Sequence, residues 1–258
     1  MKLSALPAFA DNYIWMLHDD REALVVDPGD AAPVKSALSA LGLSLGAILV
    51  THHHADHVGG IPSLQTGSIP VYGPQREGIP GVTHPVGGGD MVLWHGLSFQ
   101  VLDTPGHTRG HIVYILNEGL SSTDADPLAF VGDTLFSAGC GRLFEGSMQQ
   151  LHESLNRLAQ LPDHTRVCAT HEYTLSNLRF AQAVEPDNPD IRGHLAHCQG
   201  LRAQNLPTLP STMQTEKRIN PFLRCDQPAV MAAALEHGAA DTQPVSVFSA
   251  LRLWKNTF

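Results

Sequence analysis

Short apolar runs separated by glycine and proline dominate the first two thirds of the chain. Runs of this length rich in β-prone residues predict strands, and the uniformly apolar run Ala47–Val50 predicts a buried one. Apolar residues recur at helical spacing over 32–43 and 147–161, which predicts two helices. The predicted strands are 12–18, 23–26, 47–50, 91–94, 97–102, 112–116, 128–131 and 167–169. Many strands with intervening helices favour a layered α/β domain that contains two sheets.

The pattern changes near residue 170, after which apolar residues recur every three or four positions. Asn188 followed by Pro189 is typical of a helix start, because the amide side chain caps the helix and proline suits its first turn. Helices are predicted over 174–184, 189–201, 226–237 and 244–255. We therefore predict two domains, an α/β domain at 1–170 and a small helical domain at 171–258.

Composition and charge exclude several classes of protein. The chain is 43% hydrophobic and 16% charged, which is ordinary for a globular protein and excludes a disordered or fibrous one. No apolar run approaches the roughly 18–20 residues of a membrane-spanning helix. A formal net charge of −9 argues against a broad nucleic-acid-binding surface. The four cysteines form no CxxC pair and are interpreted as reduced thiols of a cytoplasmic chain, and residues 3–10 as mature sequence rather than a signal peptide.

The segment THHHADH at 51–57 directly follows the predicted buried strand and carries the clearest chemical signal. His52 and His54 lie two positions apart, so the end of a strand can direct both imidazoles towards one ion. Asp56 and His57 follow where we expect the loop to turn into a helix that begins near 59–60. Four such groups beside a core strand are costly unless they coordinate something. Imidazole and carboxylate ligands together suit zinc, iron or manganese.

Three further candidate ligands, His107, Asp133 and His171, each follow a predicted strand. Ligands gather at strand ends in layered α/β folds, so these groups could complete a site for two ions. A shared carboxylate such as Asp133 would offset the repulsion between two cations about 3.5–4 Å apart. Four other polar residues are interpreted as non-ligands. His53 is a bystander, His111 a strand-start residue or a support for the ligands, Asp27 a turn residue and His152 a surface residue.

The segment at 51–57 matches the T-H-x-H-x-D-H signature of the metallo-β-lactamase superfamily. Six other segments make the chain resemble the hydroxyacylglutathione hydrolase (glyoxalase II) family: DNYIW at 11–15, TPGHTRGH at 104–111, GDTLF at 132–136, GCGRLFEG at 139–146, HEYTLSNLRFA at 171–181 and NPFLR at 220–224. The resemblance runs from about residue 3 to the C-terminus. It implies a four-layer αββα metallo-β-lactamase-like sandwich as the catalytic domain, 1–170, followed by a small all-helical substrate-binding domain, 171–258.

The resemblance also implies which residues form the site. Two divalent ions are implied, zinc first, with iron or manganese as alternatives. The family pattern places the first ion on His52, His54 and His107 and the second on Asp56, His57 and His171. Asp133 bridges the two ions, and Asp56 also orients the attacking hydroxide. The implied glutathione contacts are Arg142, Phe144, Tyr173, Arg252 and Lys255.

Two of these implied contacts depart from the family pattern. Relatives often have lysine and tyrosine at positions 142 and 144, so Arg142 keeps the cation whereas Phe144 lacks the phenol hydroxyl. Arg252 and Lys255 lie three positions apart and therefore share one face of the last predicted helix. We expect that face to lie opposite much of the apolar side of the helix.

The function implied by the resemblance is hydrolysis of S-(2-hydroxyacyl)glutathione, expected to be S-D-lactoylglutathione, to glutathione and a 2-hydroxy acid. A hydroxide that bridges the two ions attacks the thioester, in the second step of methylglyoxal detoxification. Because a thiol of pKa about 8.5 leaves as thiolate, no further acid is required. We expect a cytoplasmic monomer whose partner is this small molecule, with neither nucleic acid nor membrane. The alternatives are a glutathione persulfide dioxygenase with mononuclear iron, a lactonase or β-lactamase, and an RNA-processing nuclease, which the acidic charge disfavours.

Overall fold

The computed structural model describes residues 1–121 and 123–258, which form two compact units. The first unit comprises residues 1–104, 109–132 and 168–171. The second comprises residues 105–108, 133–167 and 172–258. Among the residues described, no helix is both long enough and apolar enough to cross a bilayer.

A mixed sheet fills the N-terminal part of the first unit, and its strands lie side by side in chain order. The first three strands pair antiparallel and the later ones parallel. The strands are β1 (Lys2–Ala8), β2 (Asn12–His18), β3 (Glu22–Val26), β4 (Ser44–Leu49), β5 (Val71–Pro74) and β6 (His84–Val86). The helices of this region are α1 (Ala31–Leu41), α2 (Ala55–Val58) and α3 (Ile61–Leu64). Buried aliphatic residues of β2, β3, β4 and α1 form its core.

A second set of strands in the first unit pairs antiparallel throughout. It consists of β7 (Met91–Trp94), β8 (Leu97–Asp103), β9 (Ile112–Leu116) and β10 (Leu128–Gly132). The predicted strands 91–94 and 97–102 form a hairpin around His95 and Gly96, since β7 and β8 pair directly and both turn residues have positive φ. His111 stands immediately before β9, and Gly132 ends β10.

The second unit is mainly helical. Its helices are α4 (Met148–Leu158), α5 (Thr174–Val184), α6 (Pro189–Ala203), α7 (Met213–Ile219), α8 (Pro228–Glu236) and α9 (Pro244–Thr257), with a 3₁₀ turn at Pro221–Leu223. The short strands β11 (Leu135–Phe136) and β12 (Gly139–Cys140) form a hairpin. The first two residues of β13 (Arg166–Ala169) also belong to this unit and pair with β14 (Ser211–Thr212). Asn188 caps α6 as predicted, its side chain accepting hydrogen bonds from two backbone N–H groups.

The structure corrects three details of the sequence analysis. The helix expected near 59–60 begins at Ile61 with Gly60 at its N-cap, but a separate short helix, α2, precedes it, so that Asp56 and His57 lie in a helix rather than in a loop. Strand β1 occupies the stretch interpreted only as mature sequence. His152, expected at the surface, is buried on α4 with its ring centroid 5.4 Å from that of Phe248, and burial lowers the pKa of its imidazole.

Candidate metal centre

Asp27, which follows β3, links the ends of β3 and β4 through hydrogen bonds to Thr51, the first residue of segment 51–57. Its carboxylate accepts hydrogen bonds from the backbone N–H of Thr51 at 2.7 Å and from the Thr51 hydroxyl at 2.8 Å. Both residues are buried, and the backbone N–H of Asp27 donates to the Leu49 carbonyl. Asp27 has a φ of 53°, in the left-handed region that non-glycine residues rarely adopt. Asp27 is therefore a turn residue, as the sequence predicts. Its side chain also contacts the candidate ligand His57.

Close backbone approach sets the position of α2. A Cβ atom on Gly29 would lie 1.9 Å from the Asp56 carbonyl oxygen, which no side chain can accept. The backbone N–H of Gly60 donates to the Pro28 carbonyl on the same turn. Glycine at position 29 therefore allows the turn after β3 to pack directly against the helix that carries two candidate ligands.

Asp56, His57 and His171 converge within the first unit, with one potential ligand atom of each lying within 4.8 Å of the others. The Asp56 Oδ2 atom is 3.6 Å from His57 Nε2 and 3.5 Å from His171 Nε2. These distances exceed an ordinary N–H···O hydrogen bond. Two ligands about 2.1 Å from one tetrahedral ion are about 3.4 Å apart, so the spacing suits shared coordination.

The outer nitrogen of each of these imidazoles is held by a carboxylate. His57 Nδ1 is 3.0 Å from Asp27 Oδ2, and His171 Nδ1 is 2.8 Å from Asp11 Oδ1. A carboxylate can only accept, so Nδ1 carries the proton and Nε2 keeps its lone pair. Asn12 donates to Asp56 Oδ2 at 3.1 Å and so fixes the third group. The arrangement prepares two nitrogen donors and one oxygen donor for a cation.

His52 and His54 lie beside this cluster. The His52 ring centroid is 4.0 Å from that of His57 and 4.6 Å from that of His54. Because the Thr51 hydroxyl donates its proton to Asp27, it accepts from His52 Nδ1 at 3.0 Å and leaves Nε2 as a donor atom to a metal. His111 stacks on His52 at 4.9 Å, which agrees with the supporting task predicted for it.

His107 and Asp133, the other two candidate ligands, belong to the second unit. His107 Nε2 is 3.4 Å from Asp133 Oδ2, and His107 Nδ1 donates to the Arg142 carbonyl at 2.8 Å. The imidazole is thus held through its outer nitrogen, as His57 and His171 are. A Cβ atom on Gly141 would lie 2.0 Å from the Asp133 carbonyl oxygen, so glycine is required beside this ligand as well.

The donor set fits a divalent metal ion. Imidazoles with fixed tautomers, a carboxylate at ligand spacing and supporting carboxylates behind the imidazoles are the features of protein sites for such ions. The cluster of Asp56, His57 and His171 therefore supports binding of divalent metal ions. The same ligand chemistry accepts zinc, iron and manganese.

Three of the predicted glutathione contacts lie on or near the surface of the second unit. Arg142 is exposed, and Phe144 is 65% exposed with its ring edge-on to His107 at 5.2 Å between centroids. Tyr173 is 36% exposed and packs its ring against Phe136. Phe144 thus leaves an apolar face open to solvent beside His107, and the exposed Arg142 contacts the same imidazole through its backbone carbonyl.

Arg252 and Lys255 differ from the expectation that both lie on a solvent-facing side of the last helix. Arg252 is only 4% exposed and donates to the Cys140 carbonyl at 2.8 Å, because α9 turns this face inward. Lys255 is half-buried over the rings of Phe180 and Phe258. Burial, followed by the charge of Arg252, lowers the pKa of Lys255 to about 8.

Sequence reasoning missed the residues that hold the ligands. Asp11 begins the segment DNYIW, which carries family resemblance but no motif of metal ligands, and Asp27 was interpreted only as a turn residue. A signal was available for Asp27, because an acidic residue at the end of a buried strand beside a ligand-bearing strand end is costly without a partner.

Comparison with known proteins gives family matches over almost the whole chain. Residues 9–171 match a model described as the metallo-beta-lactamase superfamily, and residues 172–258 match one described as the hydroxyacylglutathione hydrolase C-terminus. The chain is 54% identical over 259 residues to a hydroxyacylglutathione hydrolase of Albidiferax ferrireducens, covering 100% of both proteins.

Solved structures resemble the whole fold. ETHE1 from Myxococcus xanthus is 25% identical, with a TM-score of 0.63, and the match covers 100% of this chain and 99% of that one. TTHA1623, solved in a di-iron-bound form, is also 25% identical, with a TM-score of 0.57, and the match covers 86% of this chain and 100% of the other. The predicted fold class, a metallo-β-lactamase-like α/β sandwich followed by a small helical region, is confirmed.

Proposed function

Since the chain belongs to the hydroxyacylglutathione hydrolase family of the metallo-β-lactamase superfamily and is a hydrolase, we propose that its substrate is an S-(2-hydroxyacyl)glutathione thioester. The expected substrate is S-D-lactoylglutathione, and the products are glutathione and a 2-hydroxy acid. This would be the second step of methylglyoxal detoxification. The observation that carries the proposed metal-dependent hydrolysis is the pair of carboxylate-backed imidazoles, His57 and His171, that face Asp56, and the choice of a glutathione thioester rests on the family matches.

The proposed site holds two divalent ions, with zinc as the expected metal and iron or manganese as the alternatives. Its ligands follow the family pattern residue by residue. One ion takes His52, His54 and His107, the other takes Asp56, His57 and His171, and Asp133 serves both. The fixed tautomers of His52, His57, His107 and His171 support the assignment. Bound there, the ions would polarise the thioester carbonyl and lower the pKa of water to about 7.

The remaining chemistry falls to the side chains of this chain. Asp56, steadied by the Asn12 amide, is the group that would accept a hydrogen bond from the attacking water and orient it. Asp11 and Asp27 keep the protons of His171 and His57 on Nδ1, away from the reacting atoms. The leaving group is a thiolate, so the site needs no acid to protonate it.

Charge supports the proposed position of the glutathione carboxylates. The first unit has 5 lysine and arginine residues against 13 acidic ones, whereas the second has 11 against 12. Arg142, Arg252 and Lys255 all belong to the second unit. We propose that Arg142 and Lys255 contact the tripeptide directly, with Phe144 and Tyr173 along its apolar parts, and that the buried Arg252, which is bound to the Cys140 carbonyl, contributes its positive charge. In this scheme residues 1–170 form the catalytic domain, which also contributes Arg142 and Phe144 to substrate binding, and residues 171–258 form the substrate-binding domain, which also contributes the ligand His171.

One experiment tests the proposed function directly. Purified protein is incubated with S-D-lactoylglutathione, free thiol is followed with a chromogenic disulfide, and the same sample is analysed for metals. Thiol release with close to two ions per chain supports the proposal. Oxygen consumption with glutathione persulfide and a single iron would instead identify the alternative dioxygenase, and turnover of a lactone or β-lactam alone would identify another hydrolase. The cytoplasmic location stays a prediction.

Lys255→Ala is expected to raise KM for S-D-lactoylglutathione about tenfold while kcat changes less than twofold. The ammonium group positions a carboxylate of the substrate and takes no part in bond breaking, and a hydrogen bond to a charged group contributes about 1.5 kcal/mol. Steady-state kinetics check the split, with Lys35→Ala on the exposed side of α1 as the control. A loss confined to kcat would remove Lys255 from substrate binding.

The lowered pKa of Lys255 also predicts a pH dependence. As pH rises through about 8, the ammonium loses its proton and with it the attraction for an anionic substrate, so kcat/KM should fall. The measurement is kcat/KM between pH 6.5 and 9.5, corrected for spontaneous thioester hydrolysis. In Lys255→Ala this alkaline fall should vanish, and its persistence there would assign the titration to another group.

Arg142→Ala is expected to raise KM for glutathione thioesters about three- to tenfold and to leave short thioesters without glutathione unchanged. An exposed guanidinium contributes a modest amount of binding energy, and it can act only on a substrate that carries a carboxylate. Relative kcat/KM for the two substrate classes is the measurement, with Arg157→Ala as the control. An unchanged preference would contradict the assignment.

A further inference from the structure

Glu77 lies outside every motif of the sequence, yet it touches the segment that carries the candidate ligands. We propose that Glu77 is a positioning residue, which fixes the backbone of segment 51–57 before a metal ion arrives. The inference rests on the proposed function only in taking His52 and His54 as ligands. It concerns metal binding and requires no assumption about the substrate.

The contacts of Glu77 join two loops of the first unit. Its Oε2 atom accepts from the backbone N–H of His53 at 2.6 Å and from His53 Nδ1 at 2.7 Å. Its Oε1 atom accepts from the backbone N–H of Gly110 at 3.0 Å. One carboxylate therefore links the segment between two candidate ligands to the loop before β9.

Burial of the Glu77 carboxylate increases the contribution of these hydrogen bonds to the local structure. The Glu77 side chain is only 2% exposed, and a buried carboxylate is costly unless several donors satisfy it. Backbone N–H groups are such donors, and they fix the main chain rather than a mobile side chain. A glutamate at the surface would gain little from the same bonds.

The fixed backbone leads directly to the ligands. His53 stands between His52 and His54, so holding both its N–H and its ring fixes the main chain from which the two neighbouring imidazoles project. Gly110 precedes His111, whose ring stacks on His52 at 4.9 Å. Glu77 therefore supports His52 in two ways, through the main chain of His53 and through Gly110 and His111. His53, interpreted from the sequence as a bystander, thus helps to hold this segment in place.

The packing around Gly110 supports the same inference. A Cβ atom at this position would lie 2.4 Å from Glu77 Cγ and 3.1 Å from Arg76 Cβ. The absence of a side chain therefore lets the loop approach Glu77 closely enough to donate to it. Gly110→Ala should displace the carboxylate without changing any charged group.

The chain provides a matched control for a glutamate–histidine pair. Glu22 Oε2 is 2.8 Å from His95 Nε2, both side chains are more than a third exposed, and neither residue adjoins a candidate ligand. Glu22→Gln therefore makes the same chemical change as Glu77→Gln. Glutamine keeps the shape of glutamate but replaces one acceptor oxygen by an N–H₂ group, which would face a donor in the Glu77 network.

The experiment measures metal affinity without substrate. Metal-free native protein, Glu77→Gln, Gly110→Ala and Glu22→Gln are titrated with Co²⁺, whose visible absorption reports ligand geometry, and with Zn²⁺ in competition with a chromogenic chelator. We expect Glu77→Gln to bind one of the two ions, the one assigned to His52 and His54, about tenfold more weakly, with an altered cobalt spectrum, and Gly110→Ala to change in the same direction. Glu22→Gln should match the native protein.

Affinity and cobalt spectrum of Glu77→Gln within twofold of native would overturn the proposal, as would an equal loss in Glu22→Gln. Should Glu77→Gln fail to fold by circular dichroism, Gly110→Ala decides, and native affinity there counts against Glu77. A failure of the proposed function appears instead as native metal binding without thiol release from the thioester, so the two failures are distinguishable.

Discussion

Replacing His57 by alanine is expected to lower kcat/KM for S-D-lactoylglutathione by at least about a thousandfold. The side chain is fully buried, its Nδ1 is held by Asp27, and its Nε2 faces Asp56. Loss of one ligand removes an ion that would stabilise transition-state charge by several kcal/mol, and about 4 kcal/mol corresponds to a thousandfold in rate.

The metal content of the His57→Ala variant checks the cause of the loss. We expect close to one ion per chain to be retained after gel filtration, measured by elemental analysis of the same sample used for kinetics. His164→Ala, an exposed histidine before β13, is the control and should keep native activity and metal. A His57→Ala variant that retains two ions and hydrolyses the thioester within tenfold of native would contradict the ligand assignment.

Asp27→Asn is expected to weaken metal binding and lower kcat/KM ten- to a hundredfold, and to reduce the free energy of unfolding by about 1–3 kcal/mol. The carboxylate of Asp27 accepts from two groups of Thr51 and from His57 Nδ1. Asparagine offers one acceptor oxygen and one N–H₂ group, so it cannot satisfy all three donors. The predicted losses in stability and activity therefore share one cause.

The control for this substitution is Asp30→Asn, three residues further along the chain. Asp30 caps α1 by accepting from the Ala32 N–H, and asparagine caps a helix equally well. Thermal unfolding of the metal-free proteins and zinc titrations of both variants separate the stability effect from the metal effect. An Asp27→Asn variant with native zinc affinity would show that Asp27 only supports the fold.

Residues within the local motifs could be predicted from the sequence, because a metal ligand must combine a particular side chain with a strand end. Asp56, His57 and His171, all predicted as ligands, lie together in a group that could hold a metal ion. Asp27 and Glu77 could not be assigned, since their tasks depend on which backbone groups the tertiary structure brings to their carboxylates. Periodicity carries no information about such partners.

In the fold, too, elements with a clear local pattern were predicted, and features that depend on tertiary contacts were not. Strand β2 is buried along its whole length and was predicted, whereas β1 is a half-exposed edge strand that contains Pro7. Edge strands tolerate proline and need little apolar alternation, so the pattern there is weak. Arg252 was placed on the wrong side of α9 because its guanidinium finds carbonyl partners in a distant hairpin, which helical spacing cannot reveal.

The close approach of Gly29 to Asp56 limits which positions can be varied in protein engineering. Even a methyl group at position 29 would overlap the main chain of the helix that presents two candidate ligands. Mutant libraries built to widen the choice of thioesters should keep this glycine constant. Diversity is better directed to Phe144, where two thirds of the side chain faces solvent and a change of size displaces no backbone.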